Sequence, residues 1–396
     1  YINGSSDVAI RGVVSDSNGG TGIVVKGSDN ITMEDAIARD NGGSGILLRS
    51  TSNSTLSNVT AVSNTYYGIW LDNASNNVLS EINASYNLRG TATGRIIGGE
   101  IHITYSDSNV IANVTIIHSY GDCYYLDNSG IYVKDSSNTE ITNAILRNYQ
   151  QCDNGVGVDI EAADSPTYEN LTLKNVTVKD FRYGIYRFVS VYYPISGLVI
   201  DNVHVSGASE CGMFIQAGSG ALGFRGDRVE IRNSVIENVG GDGIFVAPLG
   251  DMPDSNISIV NTTIQNTGGY GIHFYGTSSG SALGGVLIDN VVIRNVIDSG
   301  IFDGVEGLLR LGNNTIRNVL VENTNYGIRV GAYADITGRN LIENVTVRNA
   351  QVGIWTGWSV ENCTIENIGD DGVFITPELY PGDQMPVVEV KNNVIK

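Results

Sequence analysis

The sequence is poor in charge, in proline and in cysteine. Charged residues make up 16% of 396, and 23 basic residues face 42 acidic ones, for a formal net charge of −19. Such a surface repels the phosphates of nucleic acid and of anionic lipid, so neither is an expected partner. It resists a polyanionic substrate too, unless basic side chains gather locally. No run of eighteen apolar residues occurs, which excludes a membrane-spanning helix. The first residues show no charged segment leading into an apolar one, so no leader is legible. Four cysteines without CxxC or Cys/His spacing leave no candidate metal site. Walker, EF-hand and Ser-His-Asp patterns are missing, and helical periodicity is absent. Disorder is excluded as well, because the 41% of apolar residues are regularly spaced.

What is present is a repeat. One column reads IRGVV, MEDAI, LSNVT, LSEIN, IANVT, ITNAI, LKNVT, IDNVH, IRNSV, IVNTT, IDNVV, IRNVL, IENVT, VENCT and VKNNV. Its centre falls on Gly12, Asp35, Asn58, Glu81 and Asn113, and then on Asn at every repeat to Asn392. A second column follows, with members such as TGIVV, YGIWL, EIHIT, DGIFV and YGIHF. Short alternating strands separated by an Asn turn and a Gly turn predict an all-β parallel solenoid of about fifteen coils. Asn suits the turn because it tolerates the left-handed conformation and because its amide can bond to the Asn of the next coil. The Gly is expected to open another corner for a similar conformational reason.

These repeats resemble the right-handed parallel β-helix repeats of pectate lyase-like proteins, with the flavour of NosD-type and archaeal cell-surface repeats. The resemblance covers the whole chain, read as a single domain over 1–396, and implies the right-handed form of the fold. That fold hosts lyases, hydrolases, epimerases, adhesins and structural proteins, so it does not select a function. Neither end carries an evident cap, which reads either as a fragment or as head-to-tail stacking of copies.

Strand alternation places one residue of each second-column strand outside the coil. The outward series is Trp70, His102, Tyr132, Asp159, Tyr186, Phe214, Phe245, His273, Phe302, Arg329, Trp355 and Phe374. So long an aromatic stripe is expected to be covered by loops, by a second subunit or by a polysaccharide stacked on its rings. The longest loops, 187–195, 217–228, 247–256, 276–285 and 377–386, all leave from the strand end beside it.

Cys123 and Cys152 occupy equivalent turns one coil apart and are a candidate disulfide, which points to an oxidising setting. Cys211 and Cys363 are too far apart in the repeat to pair. Sequons are frequent, but the repeat itself places Asn before Thr. Those outside the main turn column, Asn3, Asn53, Asn73 and Asn256, are the better candidates for N-glycosylation.

For catalysis, the best grouping is Asp159 and Glu161 with Tyr186 and Arg187 one coil later, a set that could bind Ca²⁺ and a uronate. His273 with Tyr275 is a second, weaker grouping. GDDGVF at 369–374 superficially resembles the GDD segment of polygalacturonases. The GHG and RxK of that family are missing, and the sister repeat GGDGIF at 240–245 argues for repeat chemistry. The sequence therefore reads as an extracellular or cell-surface protein, structural or adhesive, self-assembling into a filament, sheath or array. Its expected partners are copies of itself, polysaccharide and attached glycans, with no cofactor beyond an optional Ca²⁺. The alternatives are a polysaccharide lyase, C5-epimerase or glycoside hydrolase, or a non-catalytic carbohydrate-binding module.

Overall fold

In a computed structural model, the described residues are 1–88, 98–118, 128–149, 155–162, 168–189, 195–218, 228–249, 251–252, 256–275, 282–304, 312–331, 339–376 and 388–396. All regular structure among them is β, and their strands pair in parallel, as Val78–Ser85 does with Thr55–Val62. The chain divides into two compact units, Tyr1–Phe188 and Val189–Lys396.

In the first unit a ladder runs from Ala9–Arg11 through Thr32–Glu34, Thr55–Val62, Val78–Ser85, Val110–His118 and Glu140–Asn148 to Tyr168–Lys179. The outward column lies on a second ladder, through Ile46–Arg49, Ile69–Asp72, Gly98–Thr104, Asn128–Lys134 and Val156–Ala162. The second unit repeats the plan. Its turn ladder runs from Ile195–Asp201 through Val229–Arg232, Ile257–Val260, Leu287–Asp289, Thr315–Arg317, Leu341–Glu343 and Ser359–Glu361 to Val390–Lys391. Its outward ladder includes Cys211–Gly218, Asp242–Leu249, Ile272–Phe274, Ser299–Asp303, Leu320–Val330, Thr346–Thr356 and Val373–Ile375. Rungs are thus counted within each unit rather than along one solenoid of about fifteen coils.

The inward side chains stack as columns. Ile69, Ile101, Ile131 and Val158 are wholly buried in the first unit, and Ile244, Ile272, Ile301, Ile328 and Ile354 in the second. Each such side chain contributes roughly 1.5–3 kcal/mol relative to an exposed one. This apolar column, rather than the turns, fixes the register that carries the outward residues.

The turn column behaves as expected. Gly12, Asp35, Asn58, Glu81 and every Asn to Asn392 have φ between 50° and 61°. The amides bond coil to coil, as in Asn143 to Asn113 at 3.1 Å, Asn290 to Asn261 at 2.7 Å and Asn344 to Asn318 at 2.6 Å. Two further ladders went unread. In the second unit another left-handed Asn follows five residues on, and Asn266, Asn295, Asn323, Asn349 and Asn367 each donate to the Asn of the coil before. In the first unit a series leads from the exposed Asn18 into the coil, where Asn41, Asn64 and Asn87 are buried. Asn18 donates to Asn41, Asn41 to Asn64 and Asn64 to Asn87. Asn87 then donates from its backbone N and Nδ2 to Oε2 of the buried Glu100, at 2.9 and 2.7 Å, while Glu100 Oε1 meets His118 Nδ1 at 3.1 Å.

The reason given for the Gly column needs correcting. These glycines are not left-handed; their lack of a side chain is needed for close approach. A Cβ on Gly243 would lie 2.7 Å from the Gly271 carbonyl oxygen, and one on Gly271 would lie 2.5 Å from that of Gly300. The coils come too close at those two positions for a side chain, although Glu100 takes the equivalent place in the first unit.

Candidate functional site

In the first unit the outward column is largely closed. His102, Tyr132 and Asp159 are buried, and Trp70 is half-buried. His102 lies between two rings, Tyr67 at 4.2 Å and Tyr132 at 4.9 Å, both stacked. Burial, with a smaller push from Lys134, holds the imidazole down to a pKa of about 3. The Arg49 guanidinium sits 5.1 Å over the Trp70 ring and also pairs with Asp72 at 2.6 Å.

The grouping of Asp159, Glu161, Tyr186 and Arg187 does not assemble as the sequence suggested. Ser129 donates to Asp159 at 3.2 Å. Glu161 accepts from the Tyr132 hydroxyl and lies 3.6 Å from Lys134. The tyrosine on Glu161 is therefore Tyr132, on the coil before it rather than the coil after, and burial together with this carboxylate pushes its hydroxyl well above the usual tyrosine range. Tyr186 packs edge-on against Tyr183 at 5.1 Å. Arg187 is wholly buried, the inward place that alternation gives it, and so lies away from any uronate. No group of three His, Cys, Asp or Glu converges on a metal position among the described residues.

The second unit is different. Its outward residues form one continuous series of contacts. Phe214 stacks on Phe245 at 5.1 Å, Phe245 meets His273 edge-on at 4.8 Å, and His273 lies 5.2 Å from Phe302. The Arg329 guanidinium then sits 5.3 Å over Phe302 and 4.4 Å over Trp355, and Trp355 meets Phe374 edge-on at 5.6 Å. Phe214, Phe245, Arg329 and Trp355 are half-buried, while Phe374 and Tyr275 are exposed. Tyr270 adds a second layer. It stacks on Phe302 at 4.5 Å, and its hydroxyl is raised by burial and by Asp298, which accepts its proton in a hydrogen bond.

His273 stands at the centre of this face. Its Nδ1 lies 2.7 Å from Asp242 Oδ2, and Asp242 Oδ1 accepts the backbone N–H of Tyr270 at 2.8 Å. His273 Nε2 is buried with no hydrogen-bond partner. The sequence picked out His273 with Tyr275, whose ring is 5.7 Å away. It missed Asp242, set aside as part of the GGDGIF repeat. The signal was there: Asp242 occupies the place three residues before the outward Phe245, whose rung neighbour is His273.

The remaining expectations fall as follows. Cys123 and Cys152 lie outside the described residues, as do most of the long loops. Cys211 and Cys363 are free and buried. Asn3, Asn53, Asn73 and Asn256 are exposed. The last three are left-handed turn residues like those of the main column, and Asn53 already donates to Asp29 at 2.8 Å, so the two classes of sequon are not cleanly separated. No helix among the described residues is long and apolar enough to cross a membrane.

A sequence profile described as a right handed beta helix region matches residues 1–190, 100–285 and 252–396, and the chain belongs to this family. Among solved structures, it is similar to the receptor binding domain of the Siphovirus 9NA tailspike, at 12% identity and a TM-score of 0.47, over 97% of this chain and 74% of that one. It is similar to the catalytic domain of a GH87 alpha-1,3-glucanase in complex with tetrasaccharides, at 13% identity and a TM-score of 0.41, over 97% of this chain and 64% of that one. It is also similar to the A-module of the Azotobacter vinelandii mannuronan C-5 epimerase AlgE6, at 13% identity and a TM-score of 0.35, over 97% and 80%. No curated protein sequence matches the chain.

Proposed function

We propose that this is an extracellular or cell-surface β-helix protein whose second unit holds an extended polysaccharide along its outward column. The observation that carries this reading is the unbroken series of contacts from Phe214 to Phe374, with Arg329 between the rings, in which Phe214, Phe245, Arg329, Trp355 and Phe374 stay partly accessible while His273 and Phe302 are buried. Parallel strands set those rungs roughly 4.8 Å apart. Rings with an apolar face and a wet edge suit the C–H faces of sugars, and the neighbouring Asp, Tyr and His groups suit their hydroxyls. The test is affinity electrophoresis against starch, cellulose derivatives, β-glucans, pectate and alginate, with wild type and Trp355→Ala. Retardation by at least one polymer, weakened in the variant, is expected. Equal migration of both proteins in every gel contradicts the reading. Release of new reducing ends in the same mixtures would add cleavage to binding.

Self-assembly into a filament or array is the second reading. The observation favouring it is the exposure of apolar side chains well inside the chain, such as Ile297 at 74% and Ile145 at 45%. Sedimentation at rising concentration tests it: growth into long polymers supports it, and a constant monomer removes it.

A further inference from the structure

We infer that His273 Nε2 is the hydrogen-bond acceptor of this face and that it takes a hydroxyl of a neutral polysaccharide. The inference rests on the polysaccharide reading and names the atom and the sugar class. Asp242 is an acceptor only, with one oxygen already engaged by the Tyr270 N–H. The imidazole nitrogen facing its other oxygen must therefore carry the proton, which leaves Nε2 with a bare lone pair. The residue is 8% exposed, and among the described residues nothing donates to Nε2. A buried polar atom without a partner carries a desolvation penalty and calls for an explanation. The rings around it supply one. Tyr270 at 4.3 Å, Phe245 at 4.8 Å and Phe302 at 5.2 Å wall the imidazole with apolar faces on the column proposed to stack sugars. A donor brought by a ligand would satisfy the lone pair, and a sugar hydroxyl is such a donor. Two carboxylates, Asp242 on His273 and Asp298 on Tyr270, outweigh the one cation nearby, Arg329 over Phe302, and disfavour an anionic sugar.

Asp242→Asn gives a precise test. The Tyr270 N–H can only donate, so the amide oxygen must turn to it and the NH₂ to His273. Nδ1 then becomes the acceptor, and the proton moves to Nε2. Imidazole ¹⁵N spectra of the full chain should show Nε2 unprotonated in wild type and protonated in Asp242→Asn. Binding is read with maltohexaose, laminarihexaose and cellohexaose and with their parent polymers. His273→Phe keeps a ring between Phe245 and Phe302 but has no acceptor. Both variants should weaken binding of the neutral sugar about tenfold or more. A protonated Nε2 in wild type overturns the inference, whatever binds. Undiminished binding by both variants, where Trp355→Ala has lost it, overturns the inference and leaves the polysaccharide reading standing. Binding of pectate or alginate alone overturns the neutral-sugar assignment, and binding of nothing at all removes both.

Discussion

His102 and His273 occupy the same place in the repeat, one in each unit, and their surroundings make them different groups. Both follow an inward Ile, and both lie among aromatic rings. His102 has stacked rings on both sides, and burial holds it neutral down to about pH 3. His273 has a carboxylate on Nδ1 that fixes its tautomer. The difference comes from one position on the preceding rung. There the first unit has Tyr67 and the second has Asp242, each three residues before the outward residue. The repeat supplies a place for an outward imidazole, and the neighbouring rung decides whether it is filler or an oriented polar group.

The comparison can be broken most severely from beneath. Ile101→Ala and Ile272→Ala each leave a cavity under one of these histidines. Each should cost about 2–5 kcal/mol by denaturant unfolding. A cost below 1 kcal/mol at either site would mean that the apolar column does not hold that rung.

The next effect is a pH dependence specific to the first unit. The folded pKa of His102 is about 3, below the 6.5 of an unperturbed histidine. Between these values the unfolded chain binds a proton that the folded chain does not. This histidine's stabilising contribution is thus fully present above pH 6.5 and falls by about 1.4 kcal/mol per unit as pH drops toward 3. Unfolding of wild type and His102→Phe at pH 7, 5 and 4 isolates the effect, since the variant should lack that slope. Parallel curves would contradict the burial argument.

Smaller effects sharpen the comparison of turns. Asn290 is left-handed at φ 54° and donates to Asn261. Asn290→Ala should cost about 1–2 kcal/mol, while Asn290→Gly should cost less, because glycine relieves the backbone strain but not the lost amide bond. In the first unit Glu81 holds the same conformation at φ 55° without an amide. Glu81→Asn should therefore stabilise by up to ~1 kcal/mol, seen as a small rise in Tm.

Much of the fold was legible because the repeat displays it. Inward Ile and Val columns and a turn column of Asn follow from alternation and from the left-handed tolerance of Asn. The buried series from Asn41 to Glu100 was hidden because an Asn inside the coil looks, in sequence, like an Asn at its corner. The Gly column was seen, but its cause lay in the distance between coils. The candidate site was harder. Glu161 reaches back to Tyr132, and Asp242 reaches forward to His273. Each of these contacts crosses between rungs with an offset along the strand that same-position columns do not reveal.

Two indoles offer the most direct test of where saccharide binds. Trp70 N–H donates to Thr104 at 3.3 Å in the first unit, and Trp355 N–H donates to Thr376 at 2.6 Å in the second. Indole ¹H–¹⁵N signals can be followed while the polysaccharide retained in the gels is added. The account predicts that the Trp355 signal shifts and saturates while that of Trp70 stays in place. A shift of Trp70 with Trp355 unmoved would contradict it.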